Sequence, residues 1–442
     1  MSTFNRANEA TNFVASTRSF PDGTLLDLVC PANPEIFSLL SWRGKILQVS
    51  EETRQEGELY APIKIDPRVS RALRFPRGVA PPEKTRDLFN ATHSLFSSHL
   101  DQPDYCITQL VATVFASWLF DRLPMAPLVW IVASSGTPGF VALQLLSLVC
   151  RRPLLLVGMN RGDMRSLPLQ LQPTLILDEP NLGSAMQRIL ISSTHEGVNF
   201  PSSHGFLNLF GPKIVCSHDF PTDSQLQSDA LRIILVPTAT DIKHVDAKVR
   251  EEIASEFQDR FFAYRLRNFN DLRVPDLDAG CPLTQPMREL ARSLGGAIVG
   301  DEELQQRIVS TLTSQDEQFR AERSSSANAI LVEALLDFCH EKGRRNVRSS
   351  ELADKANALH AGRGSEQMIS PESAGRKMAS LGLATGRIDS AGNGLELTEP
   401  ARILIHELAA TYEVYSLQSA GFAAGCKLCG EIRAKADRGR RT

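Results

Sequence analysis

The chain has 442 residues, of which 42% are hydrophobic and 22% charged, and its 48 basic and 51 acidic side chains give a formal net charge of −3. This is the composition of a globular protein long enough for two or three domains, and the even balance argues against a histone-like or polybasic protein. The charges are nevertheless unevenly placed: residues 125–150 contain none, and no lysine occurs between Lys84 and Lys213.

We expect a cytoplasmic location, because the sequence shows neither a secretion signal nor an uninterrupted membrane span. The first residues contain no apolar segment of the kind that a secretion signal needs. The uncharged stretch 125–150 is long enough to cross a bilayer, but the polar sequence SSGTPG near its centre would leave backbone groups unsatisfied in lipid. The eight cysteines lie mostly within apolar runs, which is typical of reduced thiols rather than of a disulfide framework. We therefore expect no membrane segment.

The first 78 residues predict a β-rich region without recognisable chemistry. Short apolar segments alternate there with turns, and the sequence around Arg43 and Gly44 is typical of a hairpin turn. Residues 75–84 are rich in proline and glycine and are predicted to be a connector.

Residues 79–240 predict a core in which helices and strands alternate. Helices are expected over 85–100 and 107–119, and strand-like apolar runs follow at LVWIVA, LLLVG, LILD, KIVCS and RIILVP. Strand-like runs separated by helical segments favour a parallel sheet with both faces covered by helices. The fold class is therefore α/β.

The segment after the sheet, residues 241–326, is predicted to form a helical lid. Apolar residues recur there at helical spacing between charged ones. The sequence RAERSSSANA at 320–329 predicts a joint to the last domain.

The last domain, residues 327–415, shows three helices followed by a hairpin. The helices are expected over 327–342, from Ser349 and from Pro371, with Ser370 as the N-cap of the third. The hairpin turn is expected at Gly392, Asn393 and Gly394. This order predicts a winged helix-turn-helix.

Basic residues accumulate in this domain. Residues 342–387 contain nine basic and four acidic side chains, among them Arg376 and Lys377 on the third helix and Arg387 on the hairpin. Helix-turn-helix modules place one helix in the major groove while basic side chains contact phosphates, so we expect these three residues to bind DNA. Winged helices also serve as protein–protein modules, and this alternative stays open. The basic tail could extend the DNA contact.

The sequence SSGTPG joins a predicted strand to a predicted helix, which is the scaffold on which P-loops bind phosphate. The P-loop pattern GxxxxGK[ST] also needs a lysine for the terminal phosphates and a hydroxyl for magnesium. Ser134, Gly136 and Gly139 fit this scaffold, but Phe140 replaces the lysine and Val141 the hydroxyl. Since no lysine is near, no shift of register restores the pattern.

A second motif lies about forty residues downstream. In the sequence LILDEP, three apolar residues are followed directly by Asp178 and Glu179. This matches a Walker B motif, in which the aspartate holds hydrated magnesium and the glutamate orients the attacking water. Together the two motifs predict a degenerate site for ATP and Mg²⁺, with Asp178 as the metal residue.

With both motifs in this order, the chain resembles the AAA+ and superfamily 3-like P-loop ATPases of phages, plasmids and integrated elements, the primase-helicases. The resemblance covers residues 79–312. It implies a sensor 1 residue at Ser217 or His218, which would contact the γ-phosphate or the water, and a subunit-bridging arginine finger at Arg232. It also implies DNA, a homo-oligomer or a replication protein as partner.

The missing lysine and hydroxyl decide the expected activity. Catalysis of phosphoryl transfer is mostly positioning and charge stabilisation, so we expect weak or absent ATP hydrolysis. The predicted function is that of a DNA-binding, helicase-like protein in the replication of a mobile element. The alternatives are an active ATP-dependent helicase and a winged-helix transcriptional regulator with a ligand-binding α/β core.

The C-terminal segment 416–442 combines a basic tail with one CxxC motif, Cys426 and Cys429. A structural zinc site needs four ligands, and no second pair is visible at a suitable spacing. His406 is twenty residues away on a predicted helix. We therefore expect no zinc site here.

Overall fold

The computed structural model describes residues 11–31, 36–160, 162–179, 182–202, 205–220, 229–237, 245–277, 281, 283–389, 392–414 and 426–432. The chain divides into two compact units. The first comprises Met1–Leu277 and Leu283–Thr313, and the second Asp278–Pro282 and Ser314–Thr442.

Seven short strands open the first unit. They are β1 Thr11–Val14, β2 Arg18–Ser19, β3 Leu25–Val29, β4 Ser38–Arg43, β5 Ile46–Ser50, β6 Thr53–Gln55 and β7 Glu58–Pro62. They form two sheets, with the orders β1-β7-β6 and β2-β3-β4-β5. The predicted hairpin is confirmed: Arg43 pairs with Ile46 across the turn, where Gly44 has φ of 61°. A positive φ costs glycine little, which suits it to this turn.

The centre of the first unit is a five-stranded sheet. Its strands are β8 Leu128–Ala133, β9 Pro153–Val157, β10 Thr174–Asp178, β13 Lys213–Ser217 and β14 Leu231–Leu235, and a separate hairpin consists of β11 Asn199–Ser202 and β12 Gly205–Asn208. All neighbours in the order β14-β8-β13-β10-β9 pair in parallel, so the predicted parallel sheet is confirmed. The strands read as continuous apolar runs because both faces of the sheet are buried.

Eight helices accompany these sheets within the described residues. They are α1 Pro67–Ala72, α2 Thr85–His99, α3 Asp104–Leu119, α4 Gly139–Val149, α5 Ser184–Ser192, α6 Ala247–Asn268, α7 Gln285–Gly296 and α8 Glu302–Ser324. Helix α3 is buried on all sides from Cys106 onwards, as its apolar sequence predicts. No described helix combines the length and the apolar character that crossing a membrane requires.

A buried ion cluster joins the N-terminal strands to the central sheet and α6. Asp27 on β3 accepts hydrogen bonds from Arg152 Nη2 at 2.5 Å and from Thr17 Oγ1 at 2.6 Å, and it forms ion pairs with Arg151 at 3.5 Å and Arg265 at 3.4 Å. Arg265 also holds both carboxylate oxygens of Asp121. The β-rich region and the sheet therefore share one interior.

The second unit contains helices α9 Ala327–His340, α10 Ser349–Gly362, α11 Pro371–Ser380 and α12 Glu399–Thr411, and strands β15 Asn346–Arg348, β16 Thr385–Asp389 and β17 Gly392–Glu396. The strands form an antiparallel sheet in the order β15-β17-β16. The predicted N-cap is confirmed, because the Ser370 hydroxyl accepts a hydrogen bond from the Ser373 amide at 3.2 Å. A single apolar core lies between these helices and the sheet.

One sequence prediction in this region is wrong. The residues expected to form the hairpin turn, Gly392 to Gly394, begin strand β17 instead. A Cβ atom on Gly394 would lie 2.2 Å from the Val347 carbonyl oxygen, so this glycine permits the close approach of β15 rather than a turn. The joint expected at 320–329 stays a prediction; the break between α8, which ends at Ser324, and α9, which begins at Ala327, lies within it.

Candidate functional site

The loop SSGTPG links β8 to α4 and folds back on itself. The amide and the hydroxyl of Thr137 both donate to the Ser134 carbonyl, at 3.2 and 2.7 Å, and Gly136 has φ of 82°. Gly139 begins α4, where a Cβ atom would lie 2.6 Å from the Cβ of Ala133. Because the Thr137 amide already donates within the turn, it does not donate to a phosphate in the way that the backbone amides of a P-loop do.

The two acidic residues of the second motif lie at the carboxyl end of β10. Asp178 pairs with Val157 of β9 and Cys216 of β13, and the Glu179 amide donates to the Cys216 carbonyl at 3.0 Å. Within the described part of the chain, no side chain forms an ion pair or hydrogen bond with either carboxylate. Burial, and the nearby charge of Asp178, raise the pKa of the Cys216 thiol to about 12.

A cleft of about 300 Å³ brings Asp178 of the second motif together with the SSGTPG loop, while Glu179 is not among its lining residues. The strand order explains the position of the cleft. After β8 the chain forms the edge strand β9, and β10 and β13 then fill the space between β9 and β8. Strand β14 pairs with the other side of β8. Ligands of open α/β sheets bind at such switch points, outside the carboxyl ends of the strands. The lining includes Ser134, Thr137, Gly139, Phe140, Asp178, Ser217 and His218.

The cleft has no basic side chain at the position of the P-loop lysine. Phe140 is half exposed there, and Val141 is buried in the place of the magnesium hydroxyl. The first lysine downstream, Lys213, begins β13 at the opposite end of the strand, level with Leu128. Its Nζ donates to the carbonyls of Ser193 and Gly211, at 3.0 and 2.6 Å, and burial lowers its pKa to about 7. Lys213 therefore does not supply the charge of the missing P-loop lysine.

The two residues of the implied sensor position differ in their surroundings. Ser217 is buried at the end of β13, where its hydroxyl accepts from Trp130 Nε1 at 2.7 Å and donates to the Asp219 carbonyl at 2.6 Å. His218 is exposed and lines the cleft. No local sequence pattern predicts the Trp130 contact, because it joins residues of two strands that are 87 positions apart.

Arg232 lies away from the cleft. In β14 it is level with Trp130, three residues before the end of β8, which corresponds to about 10 Å along the strand. Its guanidinium lies over the ring of Phe220, 4.6 Å from the centroid. Arg232 is thus not placed on the nucleotide motifs of its own chain, and its role as an arginine finger stays a prediction.

The three basic residues of the expected DNA surface also differ in exposure. Arg376 on α11 and Arg387 on β16 are exposed. Lys377 is half-buried, and its Nζ donates to Asn328 Oδ1 at 3.1 Å, on α9. By its exposure, Arg376 is therefore better placed for a phosphate than its neighbour Lys377. The basic tail lies outside the described residues.

The reason for expecting no zinc is wrong. The CxxC motif has a second pair of ligands in three dimensions, because His340 and His406 approach Cys426 and Cys429. His340 was missed in the sequence because it precedes Cys429 by 89 residues, and no local pattern connects them.

No protein-family model and no curated protein matches the chain. Among solved structures, SCCmec type IV Cch, described as an active helicase, is similar at 11% identity over 91% of this chain and 80% of that one, with a TM-score of 0.40. The A-form apo structure of the NrS-1 C-terminal region is 12% identical over 84% and 95%, with a TM-score of 0.32. A full-length MCM homologue from Methanopyrus kandleri is 10% identical over 68% and 76%, with a TM-score of 0.33. TM-scores below 0.5 establish neither family nor function.

Proposed function

We propose that this chain is a helicase-like P-loop protein of the AAA+ and superfamily 3-like type, with a degenerate nucleotide site, acting in the replication of a mobile element. It binds DNA through a C-terminal winged helix and hydrolyses ATP weakly or not at all. Its partners are DNA and either further copies of itself or a replication protein.

One observation carries the nucleotide part of this proposal. Asp178 lines the same cleft as the SSGTPG turn, although the two motifs are about forty residues apart in the sequence. A carboxylate facing a strand–turn–helix junction is the arrangement in which Mg²⁺ and a nucleotide phosphate are held together.

The same cleft supports impaired hydrolysis. Phe140 and Val141 supply neither the charge nor the hydroxyl of a P-loop, and Thr137 closes the turn with its own amide. The loss of these groups removes charge stabilisation from the transferring phosphate, which is a main source of catalysis in this chemistry. Asp178 and Glu179 would still hold hydrated Mg²⁺ and a water molecule.

The test is magnesium-dependent ATP binding by calorimetry, together with phosphate release from ATP with and without DNA, on the full chain. We expect no phosphate release above background. Turnover that Glu179→Gln abolishes, and that the exposed control Glu196→Gln leaves intact, would overturn the impaired site and favour an active helicase.

The order of elements in the second unit supports the DNA-binding part. A helix, a strand, two helices and a two-stranded hairpin follow one another from α9 to β17, which is the order expected of a winged helix. Helix α11, the second of the two consecutive helices, presents Arg376 to solvent, and the hairpin presents Arg387. Phosphate contacts by such side chains give binding that weakens with salt.

Fluorescence polarisation over a salt series tests this part. We expect the full chain to bind at about 50 mM salt, and Arg376→Gln with Arg387→Gln to reduce the salt slope by about 0.9 per lost duplex contact. Lys248→Gln, an exposed charge change in the first unit, is the control. Absence of binding to duplex, fork and single strand would overturn DNA binding, and sequence-specific duplex binding without fork preference would favour a transcriptional regulator.

A further inference from the structure

Four metal-ligating side chains meet at one point in the second unit. His340 is the last residue of α9, and His406 lies on the buried side of α12. Cys426 and Cys429 flank the start of a helical turn at 427–432. One ligand atom from each residue lies within 4.8 Å of all the others.

Three of the six distances within this cluster match the edges of a tetrahedron around a metal ion, and the other three are at most 4.8 Å. The Nε2 atoms of His340 and His406 are 3.3 Å apart. The Sγ atom of Cys426 lies 3.4 Å from His406 Nε2, and that of Cys429 lies 3.3 Å from His340 Nε2. Zinc bonds of ~2.05 Å to nitrogen and ~2.3 Å to sulfur give tetrahedral edges of about 3.4 Å between nitrogens and about 3.6 Å between nitrogen and sulfur. The three observed edges agree with these values to within a few tenths of an ångström.

The ring of His406 is held in the orientation that a ligand needs. Its Nδ1 donates to the Arg402 carbonyl, with 2.6 Å between the two atoms. With the proton fixed on Nδ1, Nε2 carries the lone pair, and it lies 3.4 Å from Cys426 Sγ and 3.3 Å from His340 Nε2. Ligating histidines characteristically use their second nitrogen in this way, which fixes both the tautomer and the ring.

Because the cluster is largely buried, a metal complex without net charge is favoured there. His406 and Cys429 are 1% and 2% exposed, and His340 and Cys426 are partly buried. Two thiolates balance the charge of one divalent cation, while two neutral imidazoles add none. A Cys₂His₂ set of this kind is typical of structural zinc.

We propose that His340, His406, Cys426 and Cys429 bind one Zn²⁺ as a closed structural site. Loading displaces one proton from each thiol to the solvent, and the Zn²⁺–sulfur bonds replace the two S–H bonds. All four positions are filled by protein, so the site has no place for a substrate and no catalytic role.

The site fastens the CxxC segment to the second unit. Among the described residues of helix 427–432, Cys429 is the one that is buried. Metal bonds to α9 and α12 would hold this segment against the apolar core. The proposal is independent of nucleotide and DNA binding.

The test begins with the metal content of the full chain, purified without chelators after growth with added zinc. We expect one zinc ion per chain by elemental mass spectrometry. Replacement by Co²⁺ should give the intense visible bands of tetrahedral coordination and a thiolate charge-transfer band. Chelation should lower the melting temperature.

Variants assign the ligands. Cys429→Ser and His406→Gln should each lose most of the metal, and Cys339→Ala, next to His340 on the same helix, should keep it. If a ligand variant fails to fold, the Co²⁺ spectrum of the unaltered chain decides. Less than a tenth of an equivalent of zinc, an octahedral Co²⁺ spectrum, or zinc that survives both ligand variants would overturn the proposal, as would a Cys426–Cys429 disulfide in protein purified under reducing conditions.

Discussion

The indole nitrogen of Trp130 donates a 2.7 Å hydrogen bond to the buried hydroxyl of Ser217, across the pairing of β8 and β13. The same hydroxyl donates to the Asp219 carbonyl at 2.6 Å. A contact with a γ-phosphate would require Ser217 to give up its bond to Asp219. Of the two residues at the implied sensor position, His218 is the one whose side chain is exposed in the cleft.

Ser217→Ala is therefore expected to affect stability more than nucleotide binding. The substitution leaves the buried Trp130 N–H without its acceptor, which costs about 1–3 kcal/mol. Urea unfolding followed by tryptophan fluorescence measures this change, with the exposed Ser134→Ala as a control. Equal stability of Ser217→Ala and the unaltered chain would show that this hydrogen bond does not contribute to the free energy of unfolding.

Phe140→Lys should increase the affinity for Mg²⁺–ATP by about tenfold, which corresponds to about 1.4 kcal/mol of binding free energy. The side chain is half exposed and lines the cleft, so a lysine there meets little steric resistance and adds the missing charge. Calorimetric titration measures the affinity. The control Phe140→Gln removes the ring without adding charge, and an equal gain in that variant would mean that charge is not what the cleft lacks.

Asp27→Asn should destabilise the first unit by about 3–5 kcal/mol, because it leaves buried arginines without their counter-ion. Burial by itself would raise the pKa of Asp27, but the charges of Arg152, Arg151 and Arg265 outweigh it and hold this pKa far below its ordinary value of 3.8. The unfolded chain therefore binds a proton more readily than the folded one. The stabilisation is complete above about pH 4 and is lost as the pH falls below it.

Urea unfolding at neutral pH and at a series of acidic pH values tests this prediction. The difference between the unaltered chain and Asp27→Asn should shrink as the pH falls below about 4. Asp87→Asn, an exposed carboxylate in the first turn of α2, should change the free energy of unfolding by less than about 0.5 kcal/mol. A difference that is independent of pH would contradict the assigned pKa.

Lys213→Met should alter how stability depends on pH in the alkaline range. Burial lowers the pKa of Lys213 from 10.5 to about 7, so between these values the unfolded chain keeps a proton that the folded chain has lost. Stability should then rise with pH in this window, by up to about 1.4 kcal/mol per pH unit. Unfolding at pH 7, 8 and 9 should show a smaller slope for Lys213→Met and an unchanged slope for Lys248→Met.

Much of the fold could be predicted because its signals are local. Continuous apolar runs between helical segments indicated a parallel sheet, and the serine–proline pair at 370–371 marked the start of a helix. The glycines at 392–394 were misassigned for a reason that is not local: the space around Gly394 is limited by β15, more than forty residues earlier in the chain.

The candidate site divides in the same way. The sequence by itself determined that Phe140 and Val141 stand where a P-loop has lysine and a hydroxyl, because that is a matter of residue identity. Only the tertiary structure decided that Lys213 lies at the far end of its strand, that the Ser217 hydroxyl is used by Trp130, and that His340 meets Cys429. Spacing along a chain reports neighbours within one helix or turn, whereas these contacts join distant elements and depend on how the elements pack.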